Sequence, residues 1–275
     1  MVTWQDVRRA AEEVGIKEGD TLLVHSSFKS LGETENGADT VIRGLQAALG
    51  ESGTLIFPTL CQKDWLHVYE NWHPDAPSDV GYLSNYFRKL PGALRSDQAT
   101  HSVAAIGPKA AYITQTHGKT GLRHGIYGDT PFAADSPWDK MYELNTKTLF
   151  IGCWLRACTF RHLAEYRFMD KYQKIAAKSP KAKELLDRVW CYERYDDHGV
   201  WWQVDSLYVE ELLAEQGKAK YTTCGNAKLS LIPSKDFVDI ATDLMENRDL
   251  RGFQPKNEYW DPQETMDWLA EVDAL

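Results

Sequence analysis

The sequence lacks the features of several functional classes. Acidic residues outnumber basic ones by 40 to 31, which gives a net charge of −9. This balance argues against a phosphate-backbone partner, which requires many lysine and arginine contacts, so no nucleic-acid partner is expected. The longest apolar runs, such as residues 21–24 and 148–151, are too short to cross a bilayer, and the N-terminus has no signal-peptide pattern. We therefore expect no membrane association and a cytoplasmic location.

Cysteine is scarce and its spacing is uninformative. The five cysteines are odd in number and form no CxxC motif, and the spacing of Cys153 and Cys158 is not that of zinc ligands. Free thiols in a reducing compartment are the expected state, and no metal is expected. A cysteine-dependent acyltransferase that uses Cys153 or Cys158 stays open as an alternative.

Three nucleotide-binding and catalytic motifs are also missing. The chain has no Walker A loop, no GxGxxG and no GxSxG. Nothing therefore indicates a nucleoside triphosphate, a dinucleotide or a hydrolase of the nucleophile-elbow type.

The first half of the chain has the pattern of a βαβ unit. Short buried strands over residues 21–25 and 54–57 flank a helix over 39–49, which implies a parallel sheet. A helix over residues 3–14 precedes them, with Thr3 as its N-cap and Gly15 at its end.

The second half favours antiparallel strands, and no composition shift marks a linker. We predict strands over 102–106 and 146–152, helices over 78–90, 109–116, 159–172, 207–216 and 235–246, hairpins over 188–205 and 219–232, and a long loop over 117–137. The prediction is one domain over 1–275, with an α/β core over 1–175 and an α+β lobe over 176–275.

A serine-rich loop over residues 25–32 follows the first strand. Ligands of parallel sheets bind beyond the carboxyl ends of the strands. The hydroxyl groups of this loop, its backbone N–H groups and Lys29 suit a pyrophosphate or phosphopantetheine arm. An ordinary serine-rich turn explains the same residues equally well.

His162 is the candidate general base. Thr159 can cap the helix that follows, and His162 and Glu165 lie three residues apart on one helix face. A position in the first helical turn disfavours imidazolium, which keeps the ring able to accept a proton. A histidine with a local carboxylate and no catalytic role is the alternative. His101 is a weaker candidate base, and Ser102 beside it is a candidate ligand contact.

An aromatic segment lies between the second strand and the next helix. His67 and His73 occur there among Trp65, Tyr69 and Trp72. The residues fit a loop that stacks on a sugar, and they also fit a pair of metal ligands. We favour the sugar contact.

Taken together, these stretches resemble the aminoglycoside 3-N-acetyltransferase family. The resemblance runs through most of the chain and includes residues 24–27 (VHSS), 53–59 (GTLIFPT), 101–108 (HSVAAIGP), 136–138 (SPW), 149–152 (LFIG) and 162–166 (HLAEY). It implies a three-layer α/β fold with a central mixed sheet and a small antiparallel C-terminal lobe. It also implies acetyl-CoA or another acyl-CoA as cosubstrate, no metal, and an amino sugar as the small-molecule partner, and it is compatible with a homodimer.

The resemblance further implies roles for individual residues. His162 would deprotonate the attacking amine, and Glu165 would orient the histidine or the substrate. The acyl-CoA would contact Ser26, Ser27, Lys29, Ser30, Leu31, Gly32, Thr59 and Ser102. Apart from the resemblance, we predict that the acyl-CoA also contacts Val103 and that the acceptor contacts Trp65, Trp72, Asp79 and Thr159. A CoA- or sugar-binding protein without activity is a further alternative, which the presence of both His162 and Glu165 disfavours.

Three departures from the family pattern bear on the substrate. Gln98-Ala99 replaces a usual His-Pro, and Lys29 replaces a usual serine. The segment between Thr59 and Ser78 is shorter than in the drug-resistance enzymes of the family. The short segment favours a nucleotide-linked amino-deoxysugar used for surface polysaccharides, with an aminoglycoside as the alternative.

Overall fold

Seven strands form one mixed sheet in the computed structural model, which describes residues 1–61, 63, 68–117, 131–189, 203–256 and 261–275. The strands are β1 (Thr21–Ser26), β2 (Thr54–Pro58), β3 (Leu94–Arg95), β4 (Val103–Ile106), β5 (Lys147–Ile151), β6 (Lys220–Cys224) and β7 (Ala227–Pro233). Their order across the sheet is β3-β4-β2-β1-β5-β7-β6. β1 pairs in parallel with β2 and β5, and the outer pairings are antiparallel. The predicted α/β class with a mixed sheet is confirmed.

Helices cover both faces of the sheet. They are α1 (Trp4–Val14), α2 (Ala38–Leu49), α3 (Val68–Asn71), α4 (Tyr82–Phe87), α5 (Ala110–Thr114), α6 (Pro137–Glu143), α7 (Phe160–Ala176), α8 (Pro180–Val189), α9 (Ser206–Glu215), α10 (Ser234–Glu246) and α11 (Pro262–Asp273). Alternate strand residues enter two separate cores: Leu22 and Val24 pack on the side of α1 and α2, and Leu23 packs on the side of α7 and α10. Among the described residues, none of these helices has the length and apolar character needed to span a bilayer.

The N-terminal helix begins and ends where the sequence predicts. The Thr3 hydroxyl accepts a hydrogen bond from Asp6 N at 3.2 Å, and the Asp6 carboxylate accepts one from Thr3 N at 3.0 Å. This reciprocal pair is a capping box. Gly15 ends α1 with φ +110°, a conformation in which a Cβ atom is strained.

The predicted hairpin over 219–232 is confirmed as β6 and β7. β7 pairs antiparallel with β5, so the hairpin extends the central sheet. The division of the chain into a core over 1–175 and a lobe over 176–275 stays a prediction.

The helix predicted over 78–90 is shorter in the structure, where α4 covers only Tyr82–Phe87. α4 begins at Tyr82 because the side chains of Ser78 and Asp79 form hydrogen bonds with backbone groups of the preceding loop and not with N–H groups of the helix. Ser78 Oγ donates to Leu60 O at 3.1 Å, and the Asp79 carboxylate accepts from Lys63 N at 2.8 Å. Both contacts tie the segment before α4 to the chain that follows β2.

Four helices were not expected from the sequence. α6 begins at the end of the predicted 117–137 loop, where Ser136 accepts from Asp139 N at 3.2 Å and Pro137 occupies the first turn. Proline is typical of loops, but it is also favoured at this helical position. α3, α8 and α11 were also missed. The predicted strand from residue 188 is wrong at its start, because α8 continues to Val189; residues 190–202 of that hairpin lie outside the described residues, as do residues 118–130 of the loop.

Candidate active site

A pocket of about 250 Å³ opens beyond the carboxyl ends of the parallel strands. Its walls come from the ends of β1 and β2, the segment after β5, and the first turn of α7. The lining residues are His25, Ser26, Pro58, Leu60, Val80, Ser84, Cys153, Arg156, Ala157, Cys158, Thr159, Arg161 and His162. This edge is where open α/β sheets bind ligands, so the pocket is the candidate active site.

His162 is held in the pocket wall by a buried carboxylate. Its Nδ1 lies 2.6 Å from Glu165 Oε2 on the next turn of α7, and Glu165 is only 1% exposed. The other carboxylate oxygen, Oε1, accepts from Val204 N at 2.9 Å. Glu165 therefore fixes the ring orientation and favours a proton on Nδ1, which leaves Nε2 as the basic nitrogen.

The surroundings of His162 keep its imidazole neutral. Burial lowers its pKa below the ordinary value of 6.5; Glu165 opposes this shift, and the positive charge of Arg161 adds to it. Arg161 Nε also donates to His162 Nε2 at 3.4 Å. A neutral imidazole with an oriented Nδ1–H can accept a proton at Nε2 near neutral pH.

The rings of His101 and Phe132 pack against His162 and restrict its rotation. The ring centroids of His101 and Phe132 lie 5.8 Å and 5.6 Å from that of His162. His101 is completely buried, its Nδ1 lies 2.8 Å from Thr100 Oγ1, and its pKa is lowered well below 6.5 by burial. It does not line the pocket, so its position favours a packing role.

The comparison with known proteins agrees with this geometry. The family model described as aminoglycoside 3-N-acetyltransferase matches residues 23–246. The chain belongs to this family. It is therefore an N-acyltransferase, which confirms the predicted enzyme class and family.

Individual relatives of the family align over nearly the whole chain. Aminoglycoside N(3)-acetyltransferase III of Salmonella sp is 29% identical over 90% of this chain and 92% of its own length. The SPbeta prophage-derived aminoglycoside N(3')-acetyltransferase-like protein of Bacillus subtilis is 26% identical over 92% of this chain and 95% of its own. The apoenzyme structure of aminoglycoside acetyltransferase AAC(3)-IVa superposes with a TM-score of 0.70 at 25% identity, covering 96% of each chain.

The serine-rich loop resembles the family pattern, but only part of it faces the pocket. Ser26 lines the pocket, Ser27 and Lys29 are exposed, and Ser30 is half-buried. Leu31 is buried in the core on the α1 side, and Gly32 follows it with φ +82°. Contact of these six residues with acyl-CoA stays a prediction.

Three backbone N–H groups of this loop already donate hydrogen bonds within the protein. Ser27 N donates to Ile151 O at 2.8 Å, Ser30 N to Ser27 O at 3.0 Å, and Gly32 N to Lys29 O at 3.3 Å. These three N–H groups therefore cannot also stabilise an oxyanion in this conformation.

Thr59, Ser102 and Val103 lie behind the pocket wall and are completely buried. The hydroxyl oxygens of Thr59 and Ser102 are 3.0 Å apart, and Arg95 Nε donates to each of them at 3.2 Å. The three residues expose no surface to a ligand in this conformation. Their predicted contact with acyl-CoA is not tested by the family match and stays a prediction.

The predicted acceptor residues separate into two places. Thr159 lines the candidate active site at the N-cap position of α7, but its side chain makes no capping hydrogen bond, so that part of the prediction is wrong. Trp72 and Asp79 line a second pocket of about 370 Å³ beside Cys61. Trp65 and His67 lie outside the described residues. Acceptor contact by Trp65, Trp72, Asp79 and Thr159 stays a prediction.

The cysteines of the pocket are poor nucleophiles. Burial raises the pKa of Cys153 to about 11 and that of Cys158 to about 12. Both thiols are therefore protonated near neutral pH, which disfavours a covalent acyl-cysteine. The described part of the chain contains no cluster of three or more histidine, cysteine, aspartate or glutamate side chains that could hold a metal ion.

Three pocket residues were not singled out from the sequence. Arg156 and Arg161 flank the start of α7, and His25 ends the buried part of β1. His25 stacks on Phe150 at 5.2 Å between ring centroids, and its buried Nε2 has no hydrogen-bond partner among the described residues. Burial lowers its pKa to about 4, so the ring is neutral at physiological pH. The only sequence signal for the arginines was their closeness to His162.

Proposed function

We propose that this protein transfers an acyl group from acyl-CoA to the primary amine of an amino sugar, with His162 as general base. The observation that supports the proposal best is the 2.6 Å contact between His162 Nδ1 and the buried Glu165 carboxylate beside the pocket. Nucleophile activation by an oriented imidazole is a general solution for acyl transfer. Here the nucleophile is the amine of the acceptor.

The proposed reaction is a direct displacement in a ternary complex. The acceptor nitrogen attacks the thioester carbon while His162 Nε2 removes the proton from that nitrogen. A tetrahedral intermediate forms and collapses as the carbon–sulfur bond breaks. The imidazolium then returns the proton to the CoA thiolate, so the products are the amide and free CoA. Glu165 stabilises the transient positive charge on the ring.

Acyl-CoA as the donor is supported by family membership and by the loop after β1. A protein of the same fold, AAC-IIIb, has been solved as a binary complex with CoASH, with a TM-score of 0.64 and 19% identity. In this chain, the exposed Lys29 and the hydroxyl groups of Ser26 and Ser27 would suit the phosphates and polar arm of the cosubstrate.

The acceptor is best supported as an aminoglycoside. The Salmonella relative is named as an aminoglycoside acetyltransferase, and the Bacillus subtilis relative is named as a protein that resembles such an enzyme. A histidine-to-alanine mutant of AAC(3)-IVa, 25% identical to this chain, has been solved in complex with a gentamicin. These names favour an aminoglycoside over the nucleotide-linked amino-deoxysugar predicted from the short segment after Thr59.

An assay of CoA release tests the proposed function. Acetyl-CoA and hydroxybutyryl-CoA are each supplied with a panel of aminoglycosides, simple amino sugars and nucleotide-linked amino sugars, and free thiol is recorded. We expect at least one amine to accelerate CoA release well above hydrolysis, with the N-acylated product seen by mass spectrometry. If every amine leaves the rate at that of hydrolysis while acetyl-CoA binds, the transferase proposal is wrong.

A further inference from the structure

The hydroxyl group of Thr159 has no hydrogen-bond partner among the described residues, although the residue is almost completely buried. Thr159 lines the candidate active site at the start of α7, and only 7% of it is exposed. Its backbone is helical, with φ −68° and ψ −22°, and its side chain caps no N–H group of the helix. Because buried hydroxyl groups normally form a hydrogen bond, this one is available to a ligand in the pocket.

Thr159 lies beside the proposed base on the same face of α7. Residues three apart on a helix have Cβ atoms about 5–6 Å from each other, and helical side chains lean toward the helix N-terminus. The side chain of His162 therefore leans toward Thr159. Its Nδ1 is bound to Glu165, one turn toward the C-terminus, so Nε2 is directed away from Glu165. The base and the Thr159 hydroxyl thus border the same part of the pocket.

The proposed reaction creates a negative charge in this part of the pocket. When the acceptor nitrogen attacks, the π electrons of the thioester carbonyl move onto its oxygen. The attacking nitrogen and this oxygen are then bonded to the same carbon atom. The oxyanion therefore forms next to the amine from which His162 removes a proton. A hydrogen-bond donor at that position stabilises the intermediate and the transition state that leads to it.

Several backbone N–H groups near this position already donate hydrogen bonds within the protein. His162 N donates to Thr159 O at 3.0 Å, and Arg161 N donates to Cys158 O at 3.3 Å. Three N–H groups of the loop after β1 are engaged in the same way, as described above. The Thr159 hydroxyl differs from them, because it can donate to a ligand without the loss of a hydrogen bond among the described residues. The positive end of the α7 dipole also favours a negative charge here.

We propose that the Thr159 hydroxyl donates a hydrogen bond to the thioester oxygen and stabilises the oxyanion of the tetrahedral intermediate. The threonine keeps its proton throughout. When the intermediate collapses, an electron pair of the oxygen restores the carbonyl double bond, and the electrons of the carbon–sulfur bond leave with the thiolate. This inference rests on the proposed function and deepens it. It is compatible with the predicted acceptor contact of Thr159, because the attacking nitrogen lies beside the oxyanion.

Removal of the hydroxyl group tests the proposal. The variants are Thr159→Val and Thr159→Ala, which lack the hydroxyl, and Thr159→Ser, which retains it. Thr222→Val is the control, because its hydroxyl on the edge strand β6 donates to Glu13 Oε2 at 3.2 Å. CoA release gives kcat and the KM values for acetyl-CoA and for two different amines. Infrared spectroscopy of acetyl-CoA with a carbon-13 label at the thioester carbonyl reports the hydrogen bond to its oxygen without an acceptor.

We expect Thr159→Val and Thr159→Ala to lower kcat about ten- to a hundredfold with both amines, since a hydrogen bond to a charged acceptor contributes an energy of that size. The KM values should stay near those of the wild type. Thr159→Ser should retain most of the wild-type kcat, and Thr222→Val all of it. The carbonyl band of bound acetyl-CoA should lie at lower frequency in the wild type and Thr159→Ser than in the two variants without the hydroxyl.

Wild-type kcat in folded Thr159→Val and Thr159→Ala would overturn the proposal. A raised KM for the amine at unchanged kcat would overturn it as well, because the hydroxyl would then serve acceptor binding alone. An acetyl group found on Thr159 by mass spectrometry would show a nucleophile in place of a hydrogen-bond donor. If no amine promotes CoA release, the proposed function fails, and the infrared band decides the hydrogen bond by itself: the difference described above supports it, and identical bands overturn it.

Discussion

Replacement of His162 by alanine should reduce kcat by about a hundredfold or more while acetyl-CoA still binds, because general-base catalysis contributes about that factor. The His162 side chain lines the pocket, where the thioester end of the cosubstrate is expected to lie. The polar arm of the cosubstrate is expected to contact the loop after β1. Removal of the imidazole deletes the proton acceptor and leaves that loop unchanged. CoA release under saturating substrates measures kcat, and calorimetry measures acetyl-CoA affinity.

The matched control is Lys174→Ala on the same helix. Lys174 is 71% exposed at the last turn of α7 and pairs with Asp170. We expect this variant to retain wild-type kcat, which separates loss of the base from a general effect on α7. An unchanged kcat in His162→Ala, with a folded protein and bound acetyl-CoA, would remove His162 from the mechanism.

Glu165→Gln should lower kcat/KM by about a hundredfold or more without unfolding the protein. The amide retains the volume of the carboxylate, and its oxygen can still accept from Val204 N, so the fold is preserved. Its NH₂ group then faces His162 Nδ1 and favours the tautomer with a proton on Nε2, which cannot act as the base. The same replacement beside a catalytic histidine is costly in serine proteases for this reason.

The pH dependence distinguishes an electrostatic role of Glu165 from a packing role. The carboxylate raises the pKa of His162 against the lowering effect of burial, so its removal should lower that pKa further. With the same acceptor, the acidic limb of kcat/KM in Glu165→Gln should therefore lie at lower pH than in the wild type. Glu215→Gln at the exposed end of α9 is the control. A limb that does not move, together with wild-type kcat/KM, would show that Glu165 serves packing alone.

The sequence predicted those elements that are determined by residues close together in the chain. Thr3 and Gly15 mark α1 because capping is decided within a few residues of the helix end. The parallel pair β1 and β2 followed from two short apolar runs around an amphipathic helix. The pair of His162 and Glu165 was also predicted, because a spacing of three places two side chains on one helix face.

Features that depend on distant partners were missed or misplaced. Ser78 and Asp79 have the composition of helix caps, but Leu60 and Lys63 provide their partners across a loop. The second partner of the Glu165 carboxylate is Val204, 39 residues away in the chain, and no local pattern indicates it. The position of Thr59 behind the pocket wall likewise depends on packing against β4.

The charge of the pocket is the clearest example. The local sequence pattern gives Arg156 and Arg161 no special role. Only the fold shows that both residues line the pocket. The chain carries a net charge of −9, whereas the described lining residues of the pocket include two arginines and no aspartate or glutamate. Net charge describes the whole surface, and a small pocket can differ from it.

The most direct test of the central claim is a structure of the His162→Ala variant with acetyl-CoA and an acceptor amine bound. Because this variant lacks the proposed base, the two bound substrates should not react. The distances from the acceptor nitrogen to the thioester carbon and to the histidine position can then be measured. We expect the acceptor nitrogen within about 3 Å of the position that His162 Nε2 occupies in the wild type, and within about 3.5 Å of the thioester carbon. An amine bound elsewhere, such as against Cys153 or in the pocket beside Trp72, would contradict the assignment of His162 as the base.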